Sequence, residues 1–256
     1  MLHGNPTWSF YYRNLIRGLR FSNRCVVPDH MGCGLSDKPQ KYPYTLSTHI
    51  DNLEKLVDHL QLKELNLLVH DWGGAIGLGL ANRQPERIKR LILFNTACFL
   101  DDHIPLRIAL CRLPILGSVL IRRLNFFLHG ALKLAIKNRE RLTAEVRAGY
   151  LAPYDSFRSR VALWRFVQDI PMNSKVESYQ LIRSIEYQLE KFREKPILVL
   201  WGMKDFCFDR HFLERWIKLF PKAIVHEFSD AGHFVLEDAY ERIIPIVNKF
   251  LQNLIK

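Results

Sequence analysis

Short apolar runs alternate along this chain with segments that carry the periodicity of amphipathic helices. The apolar runs are residues 25–27, 65–70, 91–95, 197–201 and 224–228. Runs of this length are typical of strands that are buried on both faces of a parallel sheet. Residues 46–60 and 239–255 repeat apolar positions at helical spacing instead. The alternation predicts a doubly wound α/β fold with a mostly parallel sheet and right-handed crossovers.

The rhythm breaks between about residues 100 and 195, where the pattern is helical and no strand is predicted. We therefore expect an all-helical cap inserted between two strands. On this division, residues 1–99 form the first part of the α/β core, 100–195 the cap, and 196–256 the second part of the core. A length of 256 residues suits one α/β domain with such an insertion.

The charge is uneven and lies mostly on the predicted cap. The chain has 37 Lys and Arg against 26 Asp and Glu, a net charge of +11. Residues 101–160 hold eleven of these bases and five acids, so they carry +6 of the total. Two interpretations stay open: a solvated face of amphipathic helices, or a surface that contacts a membrane or a partner protein. The surplus by itself also suits a nucleic-acid partner.

The cysteines and the longest apolar segment both favour a cytoplasmic protein. The five cysteines show neither CxxC nor metal-ligand spacing, so we expect reduced, buried thiols and no metal site. The longest apolar segment, 108–121, is interrupted by Arg112 and Pro114. It suits a segment that lies on a membrane better than one that spans it. The first residues, MLHGNP, do not have the pattern of a signal peptide.

Residues 69–74, VHDWGG, stand where an apolar strand meets a Gly- and Ala-rich helix. This is the context of the nucleophile elbow written G-x-S-x-G, with Asp71 at the serine position and Val69 in place of the first glycine. The turn directs the Asp71 side chain out of the strand end, beside the amide groups of a helix N-terminus. The alternative is an aspartate that only caps the helix.

Two downstream residues strengthen the enzymatic interpretation. Asp205 follows the strand at 197–201, and His233 follows the strand at 224–228. The order nucleophile, acid, histidine is that of the α/β-hydrolase triad. We assign Asp71 as nucleophile, His233 as base or proton shuttle, and Asp205 as the group that orients the imidazole. Each residue taken alone also suits an ordinary surface or capping role.

An aspartate nucleophile changes the expected substrate. Its attack on a saturated carbon gives an ester whose carbonyl belongs to the enzyme, which suits alkyl halides, epoxides and strained rings. Asn5, in the segment HGNPTWS, and Trp72, directly after Asp71, stand where such folds supply oxyanion-binding N–H groups. Their side chains also offer N–H donors for a leaving halide or a carboxylate oxygen. The alternative for Trp72 is a core aromatic residue.

Several segments resemble a known family, the haloalkane dehalogenase branch of the α/β-hydrolases. These segments are HGNPTWSFYYRNL, PDHMGCGLSDKP, VHDWGGAIG, WGMKDF and DAGHFVLED. Within that branch, APYDSFRSR, RFVQDIP and FDRHFLERW resemble the β-lactone decarboxylases of bacterial long-chain olefin biosynthesis. The resemblance covers nearly the whole chain, including the predicted cap.

The resemblance implies a carbon–carbon lyase of lipid metabolism that converts cis-3,4-dialkyl β-lactones into cis-alkenes and CO2. It implies Asp71, His233 and Asp205 as the triad, and Asn5 and Trp72 as the cradle for a halide or carboxylate oxygen. It implies no metal and no organic cofactor. Partners would be the long-chain β-lactone and other enzymes of the olefin pathway, with peripheral contact to the inner membrane as a further expectation. Because the resemblance is to enzymes that process lipids, we expect no nucleic-acid partner. Whether Asp71 attacks the carbonyl or the ring carbon that bears oxygen stays open.

One departure and three alternatives accompany this resemblance. Family members carry a longer stretch before HGNP, so we expect this chain to lack N-terminal strands and to be less stable and less active than an extended form. The first alternative is a haloalkane dehalogenase that uses the same residues. The second is an epoxide hydrolase, which needs two cap tyrosines directed at the oxirane. The candidates for these two are Tyr150, Tyr154, Tyr179 and Tyr187. The third alternative is a degenerate hydrolase fold that serves as a binding module.

Overall fold

The computed structural model describes residues 1–101 and 105–253. Its strands form one sheet in the order β1-β2-β3-β4, and every neighbouring pair is parallel. The strands are β1 Leu65–His70, β2 Ile88–Phe94, β3 Ile197–Gly202 and β4 Ile224–Phe228. The predicted parallel α/β sheet is therefore confirmed. β2 begins three residues earlier than its apolar run, at Ile88.

The prediction of a strand at 25–27 is wrong, because this segment has no regular structure. The Val26 carbonyl of this segment accepts a hydrogen bond from the Met1 amino group at 2.8 Å. Leu2 stands between this segment and β1, and it joins β1 through a single parallel bridge to Val69. A strand needs several successive pairings, so one such bond leaves the segment irregular.

Eleven α-helices lie in the described part of the chain. They are α1 Arg13–Leu19, α2 Leu46–His59, α3 Trp72–Arg83, α4 Leu106–Cys111, α5 Pro114–Gly117, α6 Phe126–Ala135, α7 Ala144–Leu151, α8 Val161–Gln168, α9 Ser178–Tyr187, α10 Arg210–Leu219 and α11 Val235–Leu251. The predicted helix at 46–60 corresponds to α2. The one at 239–255 corresponds to α11, which begins earlier, while residues 254–255 lie outside the described residues.

Alternate residues of each central strand face opposite sides of the sheet, and each side is covered by helices. Leu67 and Val69 of β1 pack with α2, α3, α9 and α10 in one core. Leu68, between them, packs with α1, α6 and α11 in the other. Successive side chains of a strand point to opposite sides of the sheet, and here both sides are covered by apolar cores. The strands are therefore apolar at nearly every position in the sequence.

Between β2 and β3, the described residues form helices and turns without a strand. The set comprises α4 to α9, with a π-helical turn at Ser118–Arg123 that follows α5. Residues 102–104 of this predicted cap lie outside the described residues. In the described ranges, no single helix is long and apolar enough to cross a bilayer. The bent pair Pro114–Arg123 and Phe126–Ala135 would satisfy that test only jointly, by length and composition.

All five cysteines are free thiols. Cys33 and Cys98 are buried, as predicted, but Cys25, Cys111 and Cys207 are only half-buried. Cys25 and Cys207 lie in loops, and Cys111 is the last residue of α4. No group of three or more His, Cys, Asp and Glu suited to a metal ion occurs within the described residues.

Four histidines are buried: His70 at the end of β1, His49 in α2, and His3 and His30 in loops. Burial lowers the pKa of His3 to about 4 and of His49 to about 3, and it lowers the pKa of His30 and His70 well below the usual value. His49 stacks on Phe166, and neither ring nitrogen has a hydrogen-bond partner in the described structure. All four side chains are therefore held neutral.

These histidines predict a protein that is destabilised as the pH falls below about 6.5. Their pKa values are lower in the folded chain, so the unfolded chain binds more protons in this range, and each histidine removes about 1.4 kcal/mol per pH unit. Asp169 partly opposes this loss, because burial raises its pKa to about 6 and the folded chain then binds the proton. We expect His49→Phe to lower the dependence of the free energy of unfolding on pH by about 1.4 kcal/mol per pH unit, because unfolding then takes up one proton fewer.

The measurement is urea unfolding between pH 7 and pH 5. His59→Gln is the matched control, because it removes a histidine of the same helix whose side chain is exposed at the end of α2. Equal slopes for His49→Phe and the wild type would contradict the assignment of a neutral buried imidazole.

Candidate active site

Asp71 lies in the sharp turn between β1 and α3. Its backbone has φ 51° and ψ −127°, a left-handed conformation that is rare for a residue with a side chain. The turn is held by three hydrogen bonds: the Asp71 amide donates to the Asn95 carbonyl at 3.1 Å, and the Asp71 carbonyl accepts from the Gly74 amide and from the Thr96 hydroxyl. This geometry is that of the predicted nucleophile elbow, with the carboxylate directed away from the strand end.

Two glycines allow the turn to close. A Cβ atom on Gly73 would collide with the Leu2 carbonyl, and one on Gly74 would collide with the Thr96 hydroxyl. The first collision is with backbone, which cannot rotate away as a side chain can. The sequence pattern of small residues after Asp71 is thus required by close contact between α3, the Leu2 segment and the end of β2.

The Asp71 carboxylate is buried and is held by two backbone amides. The Asn5 amide donates to Oδ1 at 2.6 Å, and the Trp72 amide also donates to the carboxylate. Burial raises the pKa of Asp71, while His233 and these two amides partly offset that rise by favouring the charged form. Oδ1 is therefore anchored, and Oδ2 is the oxygen that faces His233.

His233 stands between the two aspartates. Its Nδ1 donates to Asp205 Oδ2 at 2.8 Å, and its Nε2 lies 3.8 Å from Asp71 Oδ2. Burial opposes a charged imidazole here, but the two carboxylates outweigh it, and the pKa of His233 is raised above its usual value. The structure thus brings Asp71, Asp205 and His233 together, although they are separated by 134 and 28 residues along the chain.

Asn95, at the carboxyl end of β2, is a positioning residue that sequence reasoning missed. It is fully buried. Its Nδ2 donates to Asp205 Oδ2 at 2.9 Å and to the Gly202 carbonyl at 3.0 Å, while its Oδ1 accepts from the Gly202 amide at 2.8 Å. The signal was present: an asparagine that ends a buried strand, at the sheet edge where the other site residues also lie.

Replacing Asn95 with alanine should lower the free energy of unfolding by about 3 kcal/mol, because it leaves the buried Gly202 amide and carbonyl without partners. It should also lower the pKa of His233, since Asp205 loses a bond that holds it against the imidazole. Urea unfolding and titration of the His233 ring by NMR measure both effects. Asn52→Ala is the control, because the Asn52 amide is half-buried and donates to the Tyr42 hydroxyl at 2.8 Å. A loss no larger than that of the control would contradict this role.

The site opens on an apolar cavity of about 330 Å³. Asn5, Asp71, Trp72 and His233 all line it. The remaining wall is mostly apolar and comes from the cap, from the loops after β2 and β3, and from α10. Its larger side chains include Phe99, Ile108, Leu120, Phe126, Phe127, Leu134, Val167, Ile170, Ile182, Phe206, Phe208 and Phe212. A buried carboxylate in a greasy cavity suits a substrate with long alkyl groups.

Asn5 and Trp72, the two residues predicted to bind an oxyanion, both line the cavity, and their side chains have different surroundings. Asn5 donates one side-chain N–H to the Leu163 carbonyl at 3.1 Å, which leaves its second N–H for a ligand. Trp72 lines the cavity, and its ring lies 5.3 Å from that of Phe166. Trp72 is thus half-buried at the cavity wall, and is not a fully buried core aromatic.

The cap tyrosines do not face the cavity. Tyr150 is buried and donates to Glu237, and Tyr154 donates to the Thr7 carbonyl at 3.2 Å. Tyr187 is 87% exposed, and none of the described residues that line the cavity is a tyrosine. The pair of tyrosines that an epoxide hydrolase would require is therefore not found in the described wall.

Comparison with known proteins agrees with this architecture. A family model described as alpha/beta hydrolase fold matches residues 1–240. A cis-3-alkyl-4-alkyloxetan-2-one decarboxylase of Shewanella oneidensis is 49% identical, over 98% of this chain and 80% of that protein. One of the same name from Xanthomonas campestris is 41% identical, over 98% and 87%. Haloalkane dehalogenase 2 of Mycobacterium bovis is 32% identical, over 98% and 86%.

The fold is also similar to solved structures. A haloalkane dehalogenase from Agrobacterium tumefaciens C58 superposes with a TM-score of 0.88 at 25% identity, over 99% of this chain and 88% of that one. The match includes the cap as well as the sheet, since almost the entire chain is aligned.

Proposed function

The chain belongs to the α/β hydrolase fold family, and on that premise we propose that it is a β-lactone decarboxylase acting on cis-3-alkyl-4-alkyloxetan-2-ones. The observation that carries the proposal is the 49% identity, over 98% of the chain, to a protein named for that activity. The products would be a cis-alkene and CO2, so the enzyme would act in olefin biosynthesis. Asp71, with His233 and Asp205, would perform the chemistry.

The site supports attack by Asp71 Oδ2 on the ring carbon that bears oxygen. The new C–O bond forms as the ring C–O bond breaks, which gives an alkyl ester of Asp71 and a free carboxylate on the neighbouring carbon. The bond to that carboxylate then breaks, its electron pair forms the double bond, and Asp71 leaves as a carboxylate. The cycle releases CO2 and consumes neither water nor a proton.

Attack on the lactone carbonyl is less suitable. It would give an anhydride of Asp71 and an alkoxide. The alkoxide oxygen would stay bonded to the carbon that has to become part of the double bond, so no alkene could form until that oxygen is lost. Stereochemistry favours the ring carbon as well. Inversion at that carbon followed by anti elimination gives overall syn loss of CO2, so a cis ring yields a cis-alkene.

The surrounding groups supply the electrostatics of this route. The Asn5 amide holds Oδ1, and the Trp72 amide also binds the carboxylate, so Oδ2 would be the oxygen that attacks the substrate. The imidazolium of His233, stabilised by Asp205, lies beside the position where negative charge passes from Asp71 to the freed carboxylate. The free N–H groups of Asn5 and Trp72 would bind an oxygen of that carboxylate. The apolar cavity would hold both alkyl chains.

The test is incubation of the purified protein with a synthetic cis-3,4-dialkyl oxetan-2-one and, separately, with a long 1-haloalkane. We expect alkene and CO2 in equal amounts from the lactone. Halide release without alkene formation would overturn the proposal.

A haloalkane dehalogenase is the second candidate, because a protein of that name is 32% identical and the Asn5 and Trp72 donors suit a halide. It differs in one chemical requirement. Its alkyl ester of Asp71 would have to be hydrolysed, so His233 would have to activate water.

A further inference from the structure

Large apolar side chains are exposed on the outer side of the cap helices. We call this set the cap apolar surface; it comprises Leu106, Leu110, Leu113, Ile115, Leu116, Val119, Leu124 and Phe126. Ile115 is 83% exposed, Leu106 74% and Phe126 61%. The elements that carry these residues are contiguous, because α4, α5, α6 and α8 each pack against the π-helical turn or its neighbours. A patch of this extent marks an interaction surface.

The same segment is basic and free of acids. Residues 105–139 contain no Asp or Glu, and their bases are Arg107, Arg112, Arg122, Arg123, Lys133, Lys137 and Arg139. None of the ion pairs found in the described structure involves these seven side chains. The positive charge beside the cap apolar surface is therefore not neutralised by carboxylates of the described chain.

A group of arginines and aromatic rings lies beside the cap apolar surface, where α8 packs against the π-helical turn. The Arg122 guanidinium lies 3.9 Å from the centre of the Phe157 ring, and Arg165 lies 4.7 Å from that of Trp164. Burial lowers the pKa of Arg122, and the neighbouring charges of Arg165 and Arg158 lower it further. An anion bound here would relieve that repulsion. Arginine beside tryptophan and phenylalanine is the composition of surfaces that lie at a bilayer interface.

We propose that the cap apolar surface docks on the surface of an anionic phospholipid bilayer. Its apolar side chains would enter the boundary between headgroups and acyl chains, and the seven bases would contact lipid phosphates. Charge complementarity selects this occupant over a second copy of the chain, because two such surfaces would bring like charges together.

The cap apolar surface is also continuous with the catalytic cavity. Phe126 is exposed on the outside and lines the cavity, and α4 places Ile108 on the cavity wall next to exposed Leu106. Docking in this orientation would bring the cavity to the membrane, so an apolar ligand would pass between bilayer and cavity without crossing water. This inference concerns binding and goes beyond the proposed reaction.

The experiment measures co-sedimentation of the full chain with vesicles of phosphatidylglycerol and phosphatidylcholine, and with vesicles of phosphatidylcholine alone. We expect binding to the anionic vesicles only, and its loss at about 1 M salt, where the Debye length is about 3 Å. The double variant Arg123→Glu, Lys133→Glu should bind roughly thirtyfold more weakly or worse, because each lost base removes about fivefold. Ile115→Ser should also weaken binding.

Matched controls separate this surface from general effects of charge and hydrophobicity. Lys55→Glu with Lys63→Glu makes the same change of charge at exposed positions outside the cap, and Phe21→Ser removes an equally exposed (85%) apolar side chain. Both controls should bind as the wild type does. The proposal is overturned if anionic vesicles are not bound, if the Arg123, Lys133 variant binds as tightly as the wild type, or if Ile115→Ser instead abolishes a dimer seen by light scattering. Vesicle binding without β-lactone turnover would refute the proposed reaction and leave the docking surface standing.

Discussion

Asp71→Asn is expected to lower the rate of alkene formation from a cis-dialkyl β-lactone by about 10⁴-fold, the scale on which hydrolases lose activity when a member of the triad is removed. The amide is a poor nucleophile, although its oxygen still accepts the bond from the Asn5 amide. The same change should stabilise the fold, because burial raises the pKa of Asp71 and so disfavours its charge. Loss of turnover with an equal or higher melting temperature is the expected pair of results.

Asp71→Ala is the companion variant, because it cannot revert to aspartate by hydrolysis of an amide. Gas chromatography of the alkene and thermal unfolding monitored by circular dichroism give the two measurements. Retention of a tenth or more of the wild-type rate by Asp71→Ala would show that another group is the nucleophile.

His233→Gln should separate the two chemistries open to this site. If Asp71 is released by elimination of CO2, no water is activated, and the variant should lose only the stabilisation of charge by the imidazolium, about 10²-fold. If the ester is hydrolysed instead, as with an alkyl halide, the loss should be about 10⁴-fold. In both reactions the imidazole would act through Nε2, which lies 3.8 Å from Asp71 Oδ2. The two losses differ because stabilising a charge and activating a water molecule contribute differently to the rate.

Turnover of the β-lactone in water enriched in heavy oxygen gives an independent measurement. Mass spectrometry of the peptide that contains Asp71 should find no incorporated label after many turnovers of the wild type, since elimination restores the original carboxylate oxygens. Label in Asp71, or a loss of about 10⁴-fold on the lactone in His233→Gln, would contradict the water-free route.

The three triad positions could be located from the sequence because each lies within a few residues after the carboxyl end of an apolar strand. Carboxyl ends of parallel strands share one edge of the sheet, so Asp71, Asp205 and His233 had to meet there if the strands were correct. The glycines after Asp71 added the elbow. The apolar pattern of the cap was equally visible, and it predicted helices but not which faces line the cavity.

The remaining features depend on tertiary contacts that no local pattern encodes. Residues 25–27 have the composition of a strand, but a strand exists only where a neighbour pairs with it over several residues. Asn95 looked like the last residue of β2, and its bonds to Asp205 and Gly202 follow from the register between β2 and β3. The half-buried state of Cys207 likewise depends on the loop after β3, which turns back over the cavity.

The reciprocal bonds between Asn95 and Gly202 have a consequence for how this fold can diversify. Asn95 follows β2, where the chain leaves the sheet for the cap, and Gly202 is the last residue of β3, the first strand after the cap. The Asn95 side chain binds both backbone groups of Gly202 and also Asp205, so the carboxyl ends of these two strands are joined beside the acid through bonds that involve no cap residue. We therefore expect that cap helices can be lengthened, re-sequenced or exchanged for those of a relative without breaking the bonds that position Asp205. Substrate preference, which depends on the cap side chains of the cavity, can therefore change without a change in the catalytic residues at the ends of the strands.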